Sequence, residues 1–192
     1  MISNDFFIFE NDLKKLITEM NIQDVAEILS DLPLETVAPI FRLIPKENAA
    51  MVFTYLEADS QQVLLEAFTD KELKHIMDEM FIDDTVDVIE EMPANVVSRM
   101  LSAAGDKRES INKILNYPED SAGSIMTLEY ITLLPTMTIG DALKKIKSIG
   151  AKFETVYTCY VVEKHKLLGI ITAKELLTQD DNIVISDAME TN

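Results

Sequence analysis

Glycine is scarce in this chain of 192 residues: there are five, and none comes before Gly105. They are widely spaced, so no glycine-rich phosphate loop can be assembled from them. Cysteine is nearly absent too. The single Cys159 excludes an internal disulfide, and a reducing, cytosolic setting is expected. Long apolar runs are missing. The longest uncharged stretch, Tyr130 to Gly140, is eleven residues and contains Pro135, against the roughly 20 needed to cross a bilayer. The opening Met-Ile-Ser-Asn-Asp-Phe lacks the basic-then-apolar layout of a secretion signal. Bases are few: 17 Lys and Arg face 34 Asp and Glu, a net charge of −17. Residues 1–115 hold 23 acids and 10 bases, and residues 116–192 hold 11 and 7. Nucleic acid and anionic lipid surfaces are therefore poor partners, since both need clustered Lys and Arg. Cations are better ones. The two histidines, His75 and His165, lack metal-ligand spacing, and no acid/base pair marks a cleft, so catalysis is not expected.

What is present is 47% apolar residues, globular material written in two patterns. Residues 24 to 104 align in rows of twelve. The fifth column reads Ile28, Ile40, Val52, Leu64, Ile76, Val88, Met100; the sixth reads Leu29, Phe41, Phe53, Leu65, Met77, Ile89, Leu101; the ninth reads Leu32, Ile44, Leu56, Phe68, Met80, Met92, Ala104. With the partly apolar second column these give i, i+3, i+4, i+7, one face of an α-helix, and the methionines read as core. The first column, Asp24, Thr36, Asn48, Ser60, Glu72, Asp84, Val96, is rich in side chains favoured at helix N-caps. Pro33, Pro45 and Pro93 recur in the tenth column, where each helix would end. Helices of about ten residues are marginal alone and must stack. The expected product is an all-α superhelical solenoid over residues 1–116, with further helices in 5–20 and 106–116.

One part of this solenoid is strongly acidic. From His75 to Ser98 there are seven carboxylates and no Lys or Arg, and Asp83, Asp87 and Glu91 lie four apart on one stripe. Like charges at that spacing repel by a few tenths of a kcal/mol per pair. A hard divalent ion would answer them, and magnesium binds through one or two carboxylates while keeping much of its water. Equally, Asp84 reads as an N-cap, with Asp83 and Asp87 placed where negative charge suits a helix start.

The second pattern follows a junction, residues 117–127: Tyr-Pro-Glu-Asp-Ser-Ala-Gly-Ser-Ile-Met-Thr. Beyond it, Ile131–Leu134, Thr138–Lys147, Tyr157–Val162, Leu168–Thr172 and Ala173–Leu177 read as strand, helix, strand, strand, helix. Lys164-His165-Lys166 supplies the hairpin turn, and Thr138 with Asp141 opens the first of these helices. Ile185-Ser-Asp-Ala-Met189 echoes Ser124-Ile-Met126, as though the same unit were beginning again.

The junction, the helical repeat before it and the strand and helix order after it resemble the MgtE family of magnesium channels. There a helical N domain precedes paired cystathionine-β-synthase (CBS) motifs. The resemblance implies an α+β, multidomain chain: an N domain over 1–116, a linker over 117–127, and a first CBS motif over 128–192, cut as the second begins. In the family pattern a Leu-Asp-Asp-Leu-Ala-Asp-like run, matched here by Ile82 to Asp87, faces the CBS domain and shares regulatory Mg²⁺ with it, so the resemblance implies Asp83 and Asp87 as Mg²⁺ ligands. A carboxylate that some members carry in the third unit is replaced by Met51. The resemblance further implies a homodimer at the cytoplasmic face of a membrane, attached to a transmembrane channel domain of the same polypeptide. Bound Mg²⁺ would draw the N and CBS domains together and favour the closed pore. Adenine-nucleotide sensing is the alternative, because the family's Gly-x-x-Thr-x-x-Asp ending appears as Gly169-Ile-Ile-Thr172-Ala-Lys-Glu175, with Glu in place of Asp. A protein-interaction scaffold is the third reading.

Overall fold

The computed structural model describes residues 2–118 and 120–191, with side chains from residue 11 onward. The chain divides into two compact units, Met1–Met126 and Thr127–Asn192.

The first unit is helical. After α1 (Ile2–Glu19) come α2 (Ile22–Ser30), α3 (Leu34–Phe41), α4 (Lys46–Thr54), α5 (Ala58–Ala67), α6 (Asp70–Glu79), α7 (Ile82–Glu91) and α8 (Ala94–Ala103). A 3₁₀ turn, Gly105–Lys107, then leads into α9 (Arg108–Leu115). From α2 to α9 each helix packs on the second one along: α2 on α4, α3 on α5, and so to α7 on α9. This is the stacking that short amphipathic helices need. The core is the repeat's own columns. Val52, Leu64, Ile76, Val88 and Met100 of the fifth column are buried, as are Ile44, Leu56, Phe68, Met80, Met92 and Ala104 of the ninth. Phe41, Phe53 and Phe68 form an aromatic cluster with ring centroids 5.5–6.4 Å apart.

The period of twelve is right, but the helix starts lie three residues earlier than the first column. The N-caps are Asn21, Pro33, Pro45, Glu57, Thr69, Phe81 and Pro93. The recurring prolines therefore begin helices instead of ending them. With two to four residues between helices, the cap of one helix stands just past the end of the one before it, and proline's fixed φ suits the extended cap position. The polar column falls on the third helical residue. At α6 the two positions cooperate as a capping box: Glu72 N–H donates to Thr69 Oγ1 (3.3 Å), and the Glu72 carboxylate accepts from Thr69 N–H (2.8 Å). Asp84 is accordingly a first-turn residue of α7, whose cap is Phe81.

Bases close two helix ends. Arg99 donates to the carbonyls of Leu65 (2.6 Å) and Phe68 at the end of α5, where Arg42 also reaches Ala67 O (3.1 Å). Lys107 Nζ donates to the carbonyls of Met77, Asp78 and Met80 at the end of α6 (3.2, 2.7 and 2.6 Å). These are the orphan acceptors that every helix C-terminus leaves. Past α9, Gly123 lies under the Tyr117 ring so closely that a Cβ there would meet ring carbon at 2.4 Å.

The second unit is a three-stranded sheet in the order β1 (Thr132–Leu133), β2 (Thr158–Glu163), β3 (Lys166–Thr172). β1 runs parallel to β2, with α10 (Ile139–Ile149) in the crossover, and β2 pairs antiparallel with β3. Lys164 and His165 both have positive φ (48° and 64°), which makes the loop between paired Glu163 and Lys166 a two-residue turn matched to strand twist. Helices α11 (Ala173–Thr178) and α12 (Ile185–Ala188) follow. Ile131, Leu133, Ile139, Ala142, Cys159, Val161, Ile171, Leu176 and Ile185 form the core. The segment that echoes Ser124–Met126 is laced into this unit: Ile185 N–H donates to Met137 O (2.8 Å), and Glu190 exchanges two hydrogen bonds with Ile170 (2.8 and 3.0 Å) at the outer edge of β3.

Candidate cation-binding face

The sequence places Asp83, Asp87 and Glu91 one turn apart, and α7 keeps them so. Its apolar residues Ile82, Val86, Val88 and Ile89 are buried with Thr85, whose hydroxyl donates to Phe81 O (2.8 Å). Burial of that face fixes the helix rotation and turns the acidic stripe outward. Asp83 is half-buried and Asp87 is exposed. The Oδ1 atom of Asp83 is out of contact with solvent and has no hydrogen-bond partner. An acceptor so placed costs free energy until a donor or cation reaches it. Although Asp87 is exposed as a whole residue, partial desolvation of its carboxyl, then the negative charges of Asp83 and Glu91, push that carboxyl above its usual range.

No salt bridge among the described residues reaches Asp83, Asp87 or Glu91. Asp78, in the same acidic run, is answered by Lys74 at 3.0 Å. Among the described residues no group of three or more His, Cys, Asp or Glu side chains could enclose a metal ion. The donor set is therefore a pair of carboxylates, Asp87 open to solvent and Asp83 with one oxygen buried and unpartnered. That suits a dication that keeps most of its water, and does not suit one that demands a full protein cage. Asp83 and Asp87 would hold such an ion through carboxylate oxygens. Met51, on α4, is exposed and adds no donor of this kind.

The second unit brings together residues that the sequence did not single out as a group. A cavity of about 730 Å³ is lined by Tyr130, Thr132, Lys145, Tyr160, Lys164 and His165 among others. The Tyr130 and Tyr160 rings meet edge to face with centroids 5.3 Å apart. Lys145 Nζ is held at the wall by Thr132 O (2.7 Å). The signal that could have found this site was alternation: Tyr160 and Val162 point away from the core that buries Cys159 and Val161. Thr172 and Glu175, by contrast, are engaged with each other. Glu175 Oε2 accepts from Thr172 N–H (2.7 Å) and Oγ1 (2.9 Å), and Thr172 Oγ1 accepts from Glu175 N–H (3.3 Å), a capping box that starts α11.

Among the described residues no helix is long and apolar enough to cross a membrane. Residues 13–120 match the family described as the MgtE intracellular N domain, and residues 122–181 match the CBS domain. The magnesium transporter MgtE of Bacillus subtilis is 28% identical over 138 residues, 71% of this chain and 31% of that protein. The Enterococcus faecalis transporter of the same name is 32% identical over 80 residues, 41% of this chain and 18% of its own length. The chain thus matches less than a third of the length of either relative. Among solved structures, the cytosolic domain of the Mg²⁺ channel MgtE in complex with ATP superposes with a TM-score of 0.84 at 25% identity, covering 93% of this chain and 74% of that one. The soluble part of a magnesium transporter has the same fold, with a TM-score of 0.85 at 22% identity, covering 100% of this chain and 76% of that one. With more than half of its residues matched to the N domain and a CBS domain directly after it, the chain belongs to the MgtE family.

Proposed function

We propose that this chain is the cytosolic, Mg²⁺-sensing part of an MgtE-type magnesium channel, in which Mg²⁺ held at Asp83 and Asp87 favours the closed pore. The observation that carries this reading is the unanswered stripe on α7, above all the orphaned Asp83 Oδ1. Without a cation the stripe is mutually repulsive, and a dication converts that repulsion into attraction. In the full-length protein, further carboxylates from the CBS part would complete the ion's shell and so couple occupancy to the transmembrane domain of the same polypeptide. A homodimer at the membrane's cytoplasmic face follows from the same reading. The ion shifts the equilibrium only as far as it prefers the closed state.

The test is thermal unfolding of the chain with and without millimolar Mg²⁺, against NaCl of equal ionic strength. Ligand binding to the native state raises stability in proportion to the logarithm of occupancy, whereas screening is shared by both salts. Asp83→Asn with Asp87→Asn removes the Mg²⁺-specific rise. It also raises the Mg²⁺-free stability: the Asp87 carboxyl is pushed up, so its ionised form at neutral pH opposes folding. An undiminished Mg²⁺ response in the double variant would refute the assignment.

A second reading, an adenine-nucleotide sensor, is favoured by the cavity of the second unit, where Tyr130 and Tyr160 offer stacking and Lys145 and Lys164 offer positive charge. One of the matched structures is a complex with ATP. Thr172 and Glu175 contribute little to this reading, because each satisfies the other. Calorimetry with ATP, ADP and AMP discriminates: no heat with any of them removes the second reading and leaves the first untouched.

A further inference from the structure

The twelve-residue register extends back into α1, where its apolar column is exposed. Leu16 stands twelve residues before Ile28 of the fifth column, which continues through Ile40 to Val52 and Leu64. From α4 onward this column is core: Val52 is 1% exposed and Leu64 0%. At the start of the chain the same position is open, with Leu16 56% exposed and Ile28 49%. The three helices α1, α2 and α3 accordingly line an apolar groove of about 630 Å³, into which each contributes residues at i, i+3, i+4 and i+7. Elsewhere in the unit a face of this kind is covered by the helix two places along. Repeat stacks require a polar cap where the stacking stops, and among the described residues of α1 to α3 the column stays apolar.

The charges around the groove select its occupant. From Leu16 to Phe41 there are five acids, Glu19, Asp24, Glu27, Asp31 and Glu35, and no base. Glu35 lines the groove itself, and none of the five is in a salt bridge among the described residues. Lys14 and Lys15 stand beside Leu16 on α1, and Arg42 at the other end is turned to Glu72 and Ala67 O. A second copy of this end would set acid against acid, and an anionic membrane surface would be repelled in the same way. A helix with an apolar stripe flanked by Lys or Arg meets both the groove and its rim.

We propose that the groove of α1 to α3 is a docking site for a basic amphipathic helix of a partner protein, which completes the solenoid by one further stacked helix. The probes are two fluorescent peptides with the same leucine stripe at i, i+3, i+4 and i+7, one carrying Lys and the other Glu on its polar face. In anisotropy titrations the Lys peptide binds at least about tenfold more tightly than the Glu peptide, a modest margin for opposed charge patterns. Ile28→Asp separates docking from diffuse charge attraction. It makes the chain more acidic, so non-specific attraction would tighten, whereas docking in the groove weakens about tenfold. Because Ile28 is half-exposed the variant should fold, and its unfolding transition checks that. Equal binding of both peptides, or Lys-peptide binding undiminished by Ile28→Asp, overturns the proposal. So does concentration-dependent self-association of the chain that Ile28→Asp abolishes, which would assign the groove to a second copy.

Discussion

Lys107→Met would show how much of the helical unit's stability rests on a single cation. Lys107 reaches back about thirty residues, and its ammonium donates to the carbonyls of Met77, Asp78 and Met80 where α6 ends. The bonds at Met77 and Met80 are partly buried and the one at Asp78 is exposed. Methionine keeps most of the stem and removes all three donors. A hydrogen bond to a charged group contributes about 1.5–3 kcal/mol, and a buried acceptor left unpaired costs about 1–3 kcal/mol. Water takes over at the exposed carbonyl, so two bonds count, partly discounted for their incomplete burial. The expected loss is about 2–3 kcal/mol, which for a unit of this size lowers Tm by roughly 10 °C. Urea denaturation followed by far-UV circular dichroism measures it. Lys107→Arg, whose guanidinium still offers several donors, recovers part of the loss. A change below about 0.5 kcal/mol for the Met variant, the range of an ordinary surface substitution, would mean that these carbonyls are as well served by water, and the account of how α6 is terminated would fall.

Two further outcomes follow from other joints of the fold. The Glu72 carboxyl is drawn down to about 2, first by its hydrogen bond with Arg42 (2.9 Å) and then by the Thr69 N–H. A depressed acid stabilises the fold above its ordinary value of 4.5 and loses that contribution as pH falls toward 2. Both partners are at least one-third exposed, so Glu72→Gln costs only about 1 kcal/mol at pH 7. The gap from the parent protein closes progressively below pH 4.5, and denaturation midpoints that stay equally far apart down to pH 3 would contradict this. In the second unit, a Cβ on Gly169 would meet Glu190 O at 2.3 Å and Met189 Sδ at 3.1 Å. Gly169→Ala should therefore expel the segment paired with Ile170, at a cost of about 1–3 kcal/mol. Hydrogen exchange at the Ile170 and Glu190 amides reads this directly, and unchanged protection of both would show that the backbone yields without releasing the segment.

Much of the helical unit was legible because its core is periodic. A period of twelve with apolar residues at i, i+3 and i+4 leaves one way to bury them, and Leu64, Met77 and Met100 are buried as that pattern requires. The phase was less legible. A capping box has polar residues at both of its ends, so a column of Asp, Thr and Asn marks a helix start without saying which end it is. Proline adds to the ambiguity, since in a short connection the proline that opens one helix stands within a few residues of the end of another. What the sequence could not convey was long-range polar contact. Nothing in the neighbourhood of Lys107 or Arg99 says that their charges are aimed at carbonyls about thirty residues earlier. The same applies to the cavity beside Tyr130 and Tyr160, where residues of β1 and β2 are brought together by their parallel pairing and joined by Lys145 of α10 and Leu167 of β3. The acidic stripe on α7 needed no such information, because a helix converts a spacing of four directly into a line of charge.

How the bases are spent gives that stripe its meaning. Residues 1–115 hold ten Lys and Arg against 23 acids. Arg42, Arg99 and Lys107 direct their charge at backbone carbonyls closing α5 and α6, and Lys74 is paired with Asp78. Among the described residues no salt bridge reaches Asp83, Asp87 or Glu91 of α7. Its last turn contains no base and ends in Glu90 and Glu91, where the helix dipole is already negative. Asp83 and Asp84 in its first turn can be credited to helix stability, since negative charge belongs there. Asp87 and Glu91 cannot: both lie past that turn, and each repels the carboxylate one turn before it. The stripe of Asp83, Asp87 and Glu91 therefore carries a mutual repulsion that no salt bridge among the described residues offsets. On the proposed function a diffusible dication would relieve that repulsion, and the stability of the unit would then rise with Mg²⁺ concentration.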